Sequence, residues 1–275
     1  MAPLYKAAAA VCLAALAGLQ SEAAQPPTYK YEAVKVDDAA YVAANLARNG
    51  KLAVHITEVT KDEDLVTSLG KKLLGTSGGV QAKSVVTSSS CSGLIEALKL
   101  ENMFRHSFEY QDNPNYRELF QAALDDGLQL FKSKYPSNWE TIWQNTAGAN
   151  LAYLLGSTST KIACVVGKCT KAAASGDGNG DNNGESAKQV AAGGTNSEGT
   201  ETKEAVLFCE LDPAATRNEA PFNEEYFNAL ISRTDKLTSM TADDLKAPAN
   251  NAPVASPVLA VLMAGLVAML AAVSA

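Results

Sequence analysis

Four cysteines constrain this chain more than any other feature, because two of them stand an odd number of residues apart in one apolar stretch. In KIACVVGKC, Cys164 and Cys169 are five residues apart. Side chains alternate between faces along an extended strand, so the two point to opposite sides. They are not expected to bond each other. One should reach an adjoining strand, where Cys209 in AVLFCEL is the obvious partner, and the other should cross a sheet face to Cys91. A fifth cysteine, Cys12, lies in a segment expected to be removed. An even number of cysteines in an exported chain reads as two disulfides. The rival reading, a zinc site, lacks both C-x-x-C spacing and a nearby histidine.

Export is read from the two ends. Lys6 precedes an uncharged apolar run from Ala7 to Leu19, and Ser21-Glu22-Ala23 offers small residues for cleavage. Residues 1–23 therefore read as a signal peptide. The run is shorter than the roughly 20 apolar residues a membrane span needs. At the other end, Val258 to Val273 is almost wholly Ala, Val, Leu and Met, with no basic residue behind it. A spanning helix ordinarily carries Lys or Arg on its cytoplasmic side. An uncharged tail after a polar spacer and small residues reads instead as a glycosylphosphatidylinositol (GPI) signal, with residues 257–275 removed. The attachment residue falls among Ala247, Ala249, Asn250 and Asn251, with Asn250 preferred, although a spacer of roughly 8–12 residues points to Ala247.

About 225 residues remain between the signals, enough for one sizeable core. Residues 24–244 are assigned to this ectodomain and 245–256 to a stalk and attachment region. Charge is mildly acidic, with 23 Lys+Arg against 30 Asp+Glu. No basic stripe supports nucleic-acid binding. No N-x-[ST] sequon occurs.

Between the ends, helices are expected at Asp37 to Asn49, stopped at Asn49-Gly50, and at Lys61 to Leu74, where Leu65, Leu69 and Leu73 repeat. A Ser/Thr/Gly-rich loop from Thr76 to Ser92 leads to a short helix at Gly93 to Leu100. Alternating Phe104, His106, Phe108 and Tyr110 predict a strand. Asn113-Pro114 opens the longest helix, to about Lys134. Ser137 and Glu140 match a capping box for a helix carrying Trp139 and Trp143. Strands are expected at Leu151 to Leu155, Lys161 to Gly167 and Ala205 to Leu211, and a last helix at Asn223 to Arg233. Lys171 to Lys203 is mostly Gly, Ala, Asn, Ser, Asp and Glu, and is expected to be a disordered loop. The order predicts a mixed α/β fold around one core.

SNWETIWQNTAGANLAYLLGSTSTKIACVVGKC, VLFCELDP, NLARNGKLAVHITEVTKDEDL and FNEEYFNALISRTDKLTSMTADDLK together resemble the surface-antigen (SAG) family of the coccidian parasites Eimeria. That resemblance covers most of the mature chain and implies a GPI-anchored protein of invasive stages. The chain is also similar to the CAP superfamily of secreted proteins. Asn45 and Arg48 match part of its H-N-x-x-R helix motif, and Trp143 part of H-Y-T-Q-x-x-W. Cys164 and Cys169 match G-C-x-x-x-x-C, and Cys209 with Asp212-Pro213 matches C-x-x-D-P. The similarity implies a three-layer α-β-α sandwich and disulfides Cys164–Cys209 and Cys91–Cys169. The long loop after Cys169 is this chain's own. CAP proteins often hold a metal through two histidines; Ala44 and Ser137 stand in those places here, and no G-E-N segment supplies a carboxylate. The metal site is expected to be lost, with no cofactor.

Chemistry has few candidates. His55 and His106 are the only histidines, and both fit structural or surface positions. No G-x-S-x-G context supports a hydrolase. Asp125-Asp126 and the Lys61 to Asp64 run fit solvated helix faces. Trp139 and Trp143 fit core packing better than a ligand surface. The expected function is a non-enzymatic surface antigen, with partners on the host cell surface or among host immune factors and a GPI lipid in the membrane. A lipid- or sterol-carrying module of CAP type is the alternative.

Overall fold

Five of the seven α-helices among the described residues begin where a short polar side chain satisfies the first free amides. Asp37, Asp62, Asn138, Asn145 and Asn223 all do so, each accepting a backbone N–H two or three residues on. The computed structural model of the chain describes residues 26–75, 86–172 and 201–246. In chain order the elements are β1 (Tyr29–Lys35), α1 (Asp38–Asn49), β2 (Thr60–Lys61), α2 (Glu63–Leu73), α3 (Gly93–Ala97), β3 (Phe104–Glu109) and α4 (Tyr116–Gln129). There follow α5 (Trp139–Gln144), α6 (Thr146–Leu154), β4 (Lys161–Lys171), β5 (Glu201–Asp212), α7 (Glu224–Ser232) and 3-10 turns at Leu237–Ser239 and Ala242–Leu245. The backbone falls into two units. Among the described residues, one draws on 26–36, 62–75, 86–114, 163–172 and 201–210, the other on 37–61, 115–162 and 211–246.

The first unit is built on strands in the order β1-β4-β5-β3. β1 runs antiparallel to β4 with Tyr31 opposite Cys169, and β3 antiparallel to β5 with Phe104 opposite Cys209 and Ser107 opposite Val206. α2 and α3 both pack against β1, and α2 buries Val66, Leu69 and Leu73. Gly167 lets these layers meet. A Cβ there would lie 2.9 Å from Leu73 Cδ2, 3.0 Å from the Phe208 ring and 3.1 Å from the Tyr31 ring. Lys72 closes the sheet side with both Glu210 oxygens at 2.7 Å.

The second unit is helical. α4 packs on both α1 and α6, and α5 on α6. α1 is closely packed because Ala40, Ala43, Ala44 and Ala47 are wholly buried small residues. β2 pairs in parallel with Lys161–Ile162. Trp139 meets Phe222 edge-on at 5.3 Å, and Trp143 meets Tyr153 at 4.9 Å; both tryptophans are core residues.

Several expectations are corrected. Residues 151–154 belong to helix α6, not to a strand. The run is buried on nearly every side, so it shows no helical period, and the deciding signal is Asn145 accepting the amides of Ala147 and Gly148. α5 is capped by Asn138 and not by Ser137. α4 starts at Tyr116, because the first helical amides bond to the Asn115 carbonyl; Pro114 lies outside. It ends at Gln129, and the backbone then turns through left-handed Lys132 and Ser133. α1 ends without a left-handed glycine: Gly50 has φ −57° and Lys51 takes φ 53°. β1, in YKYEAVK, was not expected at all. β4 and β5 extend through Lys171 and from Glu201, so both edges of the expected loop are strand. Leu245, the expected start of the stalk, closes a 3-10 turn. The expected signal peptide, residues 173–200 of the expected loop, the expected attachment residue Asn250 and the apolar tail lie outside the described residues. Among the described residues no helix is long and apolar enough to cross a membrane.

Candidate functional site

The residues singled out by the CAP motif lie on α1, and their contacts are with the main chain. Asn45, Arg48 and Asn49 form a polar stripe at helical spacing in an otherwise alanine-rich helix. Asn45 brackets residue 59, donating to the Val59 carbonyl at 2.8 Å and accepting the Val59 amide at 2.9 Å. Asn49 accepts the Ile56 amide at 2.9 Å. Arg48 is fully buried. Its guanidinium donates to the carbonyls of Leu154 and Thr57 at 2.7 Å each and of Gly156 at 3.0 Å. The fixed fork of an arginine matches several carbonyls at once, which a lysine ammonium on a flexible stem does less well. Burial pushes the guanidinium pKa down to about 10, so it remains charged at neutral pH.

The carbonyls at the end of α1 are also met by side chains. Tyr226 on α7 donates its hydroxyl to the Arg48 carbonyl at 2.6 Å. Arg233 donates to the carbonyls of Leu46 at 3.1 Å and of Ala47 and Gly50 at 3.3 Å. A cation at a helix C-terminus is favoured by the backbone dipole as well as by these bonds. Burial pushes the Tyr226 phenol up and the Arg233 guanidinium down from their ordinary values. Asn49, Tyr226 and Arg233 were missed from the sequence. The signal for Asn49 was its place one helical turn from Asn45; Tyr226 and Arg233 had none.

Of the two residues that the sequence resemblance sets against CAP histidines, Ala44 is wholly buried and Ser137 is exposed. His55 Nε2 lies 3.0 Å from the Leu52 carbonyl, and His106 stands on β3 opposite Leu207. Asp125 accepts from Gln121 at 2.8 Å on an exposed helix face, and Asp126 is exposed beside it. Trp143 donates its indole N–H to the Glu219 carbonyl at 2.8 Å. Within the helical unit His55, Asp125 and Trp143 each bond to other partners and not to one another.

The cysteines do converge, in pairs. Cys164 on β4 is bonded to Cys209 on β5 with Cα atoms 4.2 Å apart. Cys91, just before α3, is bonded to Cys169 near the end of β4 across 5.9 Å. Beside the second bridge lies a cavity of about 150 Å³ lined by Tyr31, Ile95, Phe108, Val206 and the bridge itself, with Ser92, Ser107 and Glu204 among its polar residues. Tyr31 is buried and donates its hydroxyl to the Cys91 carbonyl at 2.9 Å. Burial, reinforced by Glu204 and opposed by Arg105, pushes the phenol up to about 12. A Glu204 carboxylate oxygen and the two bridge sulfurs lie within 4.8 Å of one another. Joined as a disulfide, those sulfurs offer no thiolate to a metal.

No family model matches the sequence, and no curated protein matches it. Among solved structures, the chain is similar to the Eimeria tenella surface antigen protein SAG19. The match has 17% identity and a TM-score of 0.40, over 75% of this chain and 97% of that one. It is also similar to the hookworm platelet inhibitor, with 12% identity and a TM-score of 0.38, over 69% of this chain and 78% of that one.

Proposed function

We propose that this chain is a surface antigen, displayed on the outer face of a membrane by a GPI lipid attached near Asn250, with a CAP-like α-β-α sandwich as its ectodomain. It acts without catalysis, in attachment to host cells or in engagement of host immune factors. The observation that carries the non-catalytic part of this reading is the α1 cluster. Asn45, Arg48 and Asn49 are occupied in holding backbone at residues 56, 57, 59, 154 and 156, so the motif serves as a scaffold latch. Two disulfides add the cross-linking typical of exported domains. The carrier alternative draws no support from the cavity beside Cys91–Cys169: about 150 Å³ is below the roughly 300 Å³ at which pockets for drug-sized ligands begin.

The test is treatment of intact expressing cells with a phosphatidylinositol-specific phospholipase. Release of the protein, followed by binding of the released form to host cells or host immune factors, is the expected result. A mature product that resists release and retains Val258 to Ala275 overturns the anchor. A released protein that binds neither overturns the proposed role.

A further inference from the structure

The cavity beside the Cys91–Cys169 bridge has a ligand chemistry of its own. Its body is apolar, made by Tyr31, Ile95, Phe108, Val206 and the two sulfurs. Its volume of about 150 Å³ matches cavities that take a single benzene-sized molecule. One carboxylate stands over this apolar floor: an oxygen of Glu204 lies within 4.8 Å of both sulfurs. The register explains the convergence. Tyr31 is opposite Cys169 and Ser107 opposite Val206, and Glu204 is two residues before Val206, so it shares that residue's face.

The other charge that acts on Tyr31 is Arg105. Its guanidinium donates to the Glu101 carbonyl at 2.8 Å. Ser92 and Ser107 are exposed and can accept further hydrogen bonds from a cationic head. An apolar pocket with a carboxylate above it selects a cation on a small hydrophobic body, since an anion of the same shape meets repulsion and loses hydration.

We propose that this cavity is a binding site for a small organic cation, an ammonium carried on a ring of benzene size, with the ring against Tyr31, Ile95 and Val206 and the ammonium at Glu204. The site does not depend on the anchor or on the antigen role.

Three probes of similar size on a benzene ring, benzylamine, benzyl alcohol and benzoate, test it on the purified full chain with its disulfides intact, followed by NMR titration. Benzylamine is expected to bind most tightly, benzyl alcohol more weakly, and benzoate least. Glu204→Gln, a change at an exposed position, should weaken benzylamine about three- to fivefold, toward benzyl alcohol, as befits a partly solvated ion pair. Val206→Phe fills the cavity and should abolish binding of both; Ile95→Phe replaces it if that variant does not fold. Benzylamine binding no tighter than benzoate overturns the assignment, as does Glu204→Gln leaving benzylamine affinity unchanged. So does a folded cavity-filling variant that still binds both probes.

Discussion

Replacing Arg48 with methionine should remove the strongest single polar anchor of the helical unit. The guanidinium makes three hydrogen bonds to carbonyls, all 3.0 Å or shorter, from a fully buried position. A hydrogen bond from a charged donor contributes about 1.5–3 kcal/mol, so the gross loss is roughly 5–9 kcal/mol. Methionine fills much of the volume and relieves the desolvation of a buried cation, an opposing effect of several kcal/mol. The net loss expected is about 3–5 kcal/mol, a large fraction of the roughly 5–15 kcal/mol that keeps a domain folded. With a urea slope of about 2 kcal/mol per M, the unfolding midpoint should fall by roughly 2 M. Arg48→Lys should recover only part of this, because one ammonium cannot reproduce the fork. A midpoint within about 0.3 M of wild type for Arg48→Met, or full recovery by lysine, would refute the view that the three carbonyls depend on this fork.

Two further outcomes follow from the cross-links and the buried phenol. Removing the Cys91–Cys169 bridge by paired serines opens a separation of 78 residues and removing Cys164–Cys209 opens 45; loop-closure entropy assigns them about 4.5 and about 4 kcal/mol. Denaturant midpoints should therefore fall for both, slightly more for the first, and an unchanged midpoint for either would contradict the staple. Tyr31 holds its proton up to about 12 against an ordinary 10.0, so the folded state binds a proton that the unfolded state releases. Its contribution is full below pH 10 and is lost as pH rises toward 12. Stability measured across that window should fall less steeply in Tyr31→Phe, and an identical slope in the two proteins would count against the buried phenol.

Caps and alternation made much of the fold legible. Asp37 and the Asn223 to Arg233 segment announced α1 and α7, and the aromatic alternation announced β3. α6 was hidden because a helix buried on most sides carries no period, and its Leu and Tyr residues suit a strand equally well. β1 was passed over because its seven residues stand before the first clear helix and only their pairing with β4 makes them a strand. Parity had set the side chains of Cys164 and Cys169 on opposite faces; in the structure they take different partners, Cys209 on β5 and Cys91 in the turn before α3. The cavity could not be read from sequence at all. Tyr31, Cys91, Cys169 and Glu204 come from four distant stretches, and only strand register brings them together. Arg233 at the end of α1 is of the same kind, a contact across 187 residues to Leu46.

The α1 latch holds its loop through atoms every amino acid possesses. Thr57 and Glu58 turn their side chains to solvent while the Thr57 carbonyl and the Val59 amide and carbonyl are gripped from beneath. A grip of that sort is indifferent to the lettering above it. The outward face of residues 57–58 can therefore be changed in charge and shape by substitution while the hold on the loop's main chain stays the same.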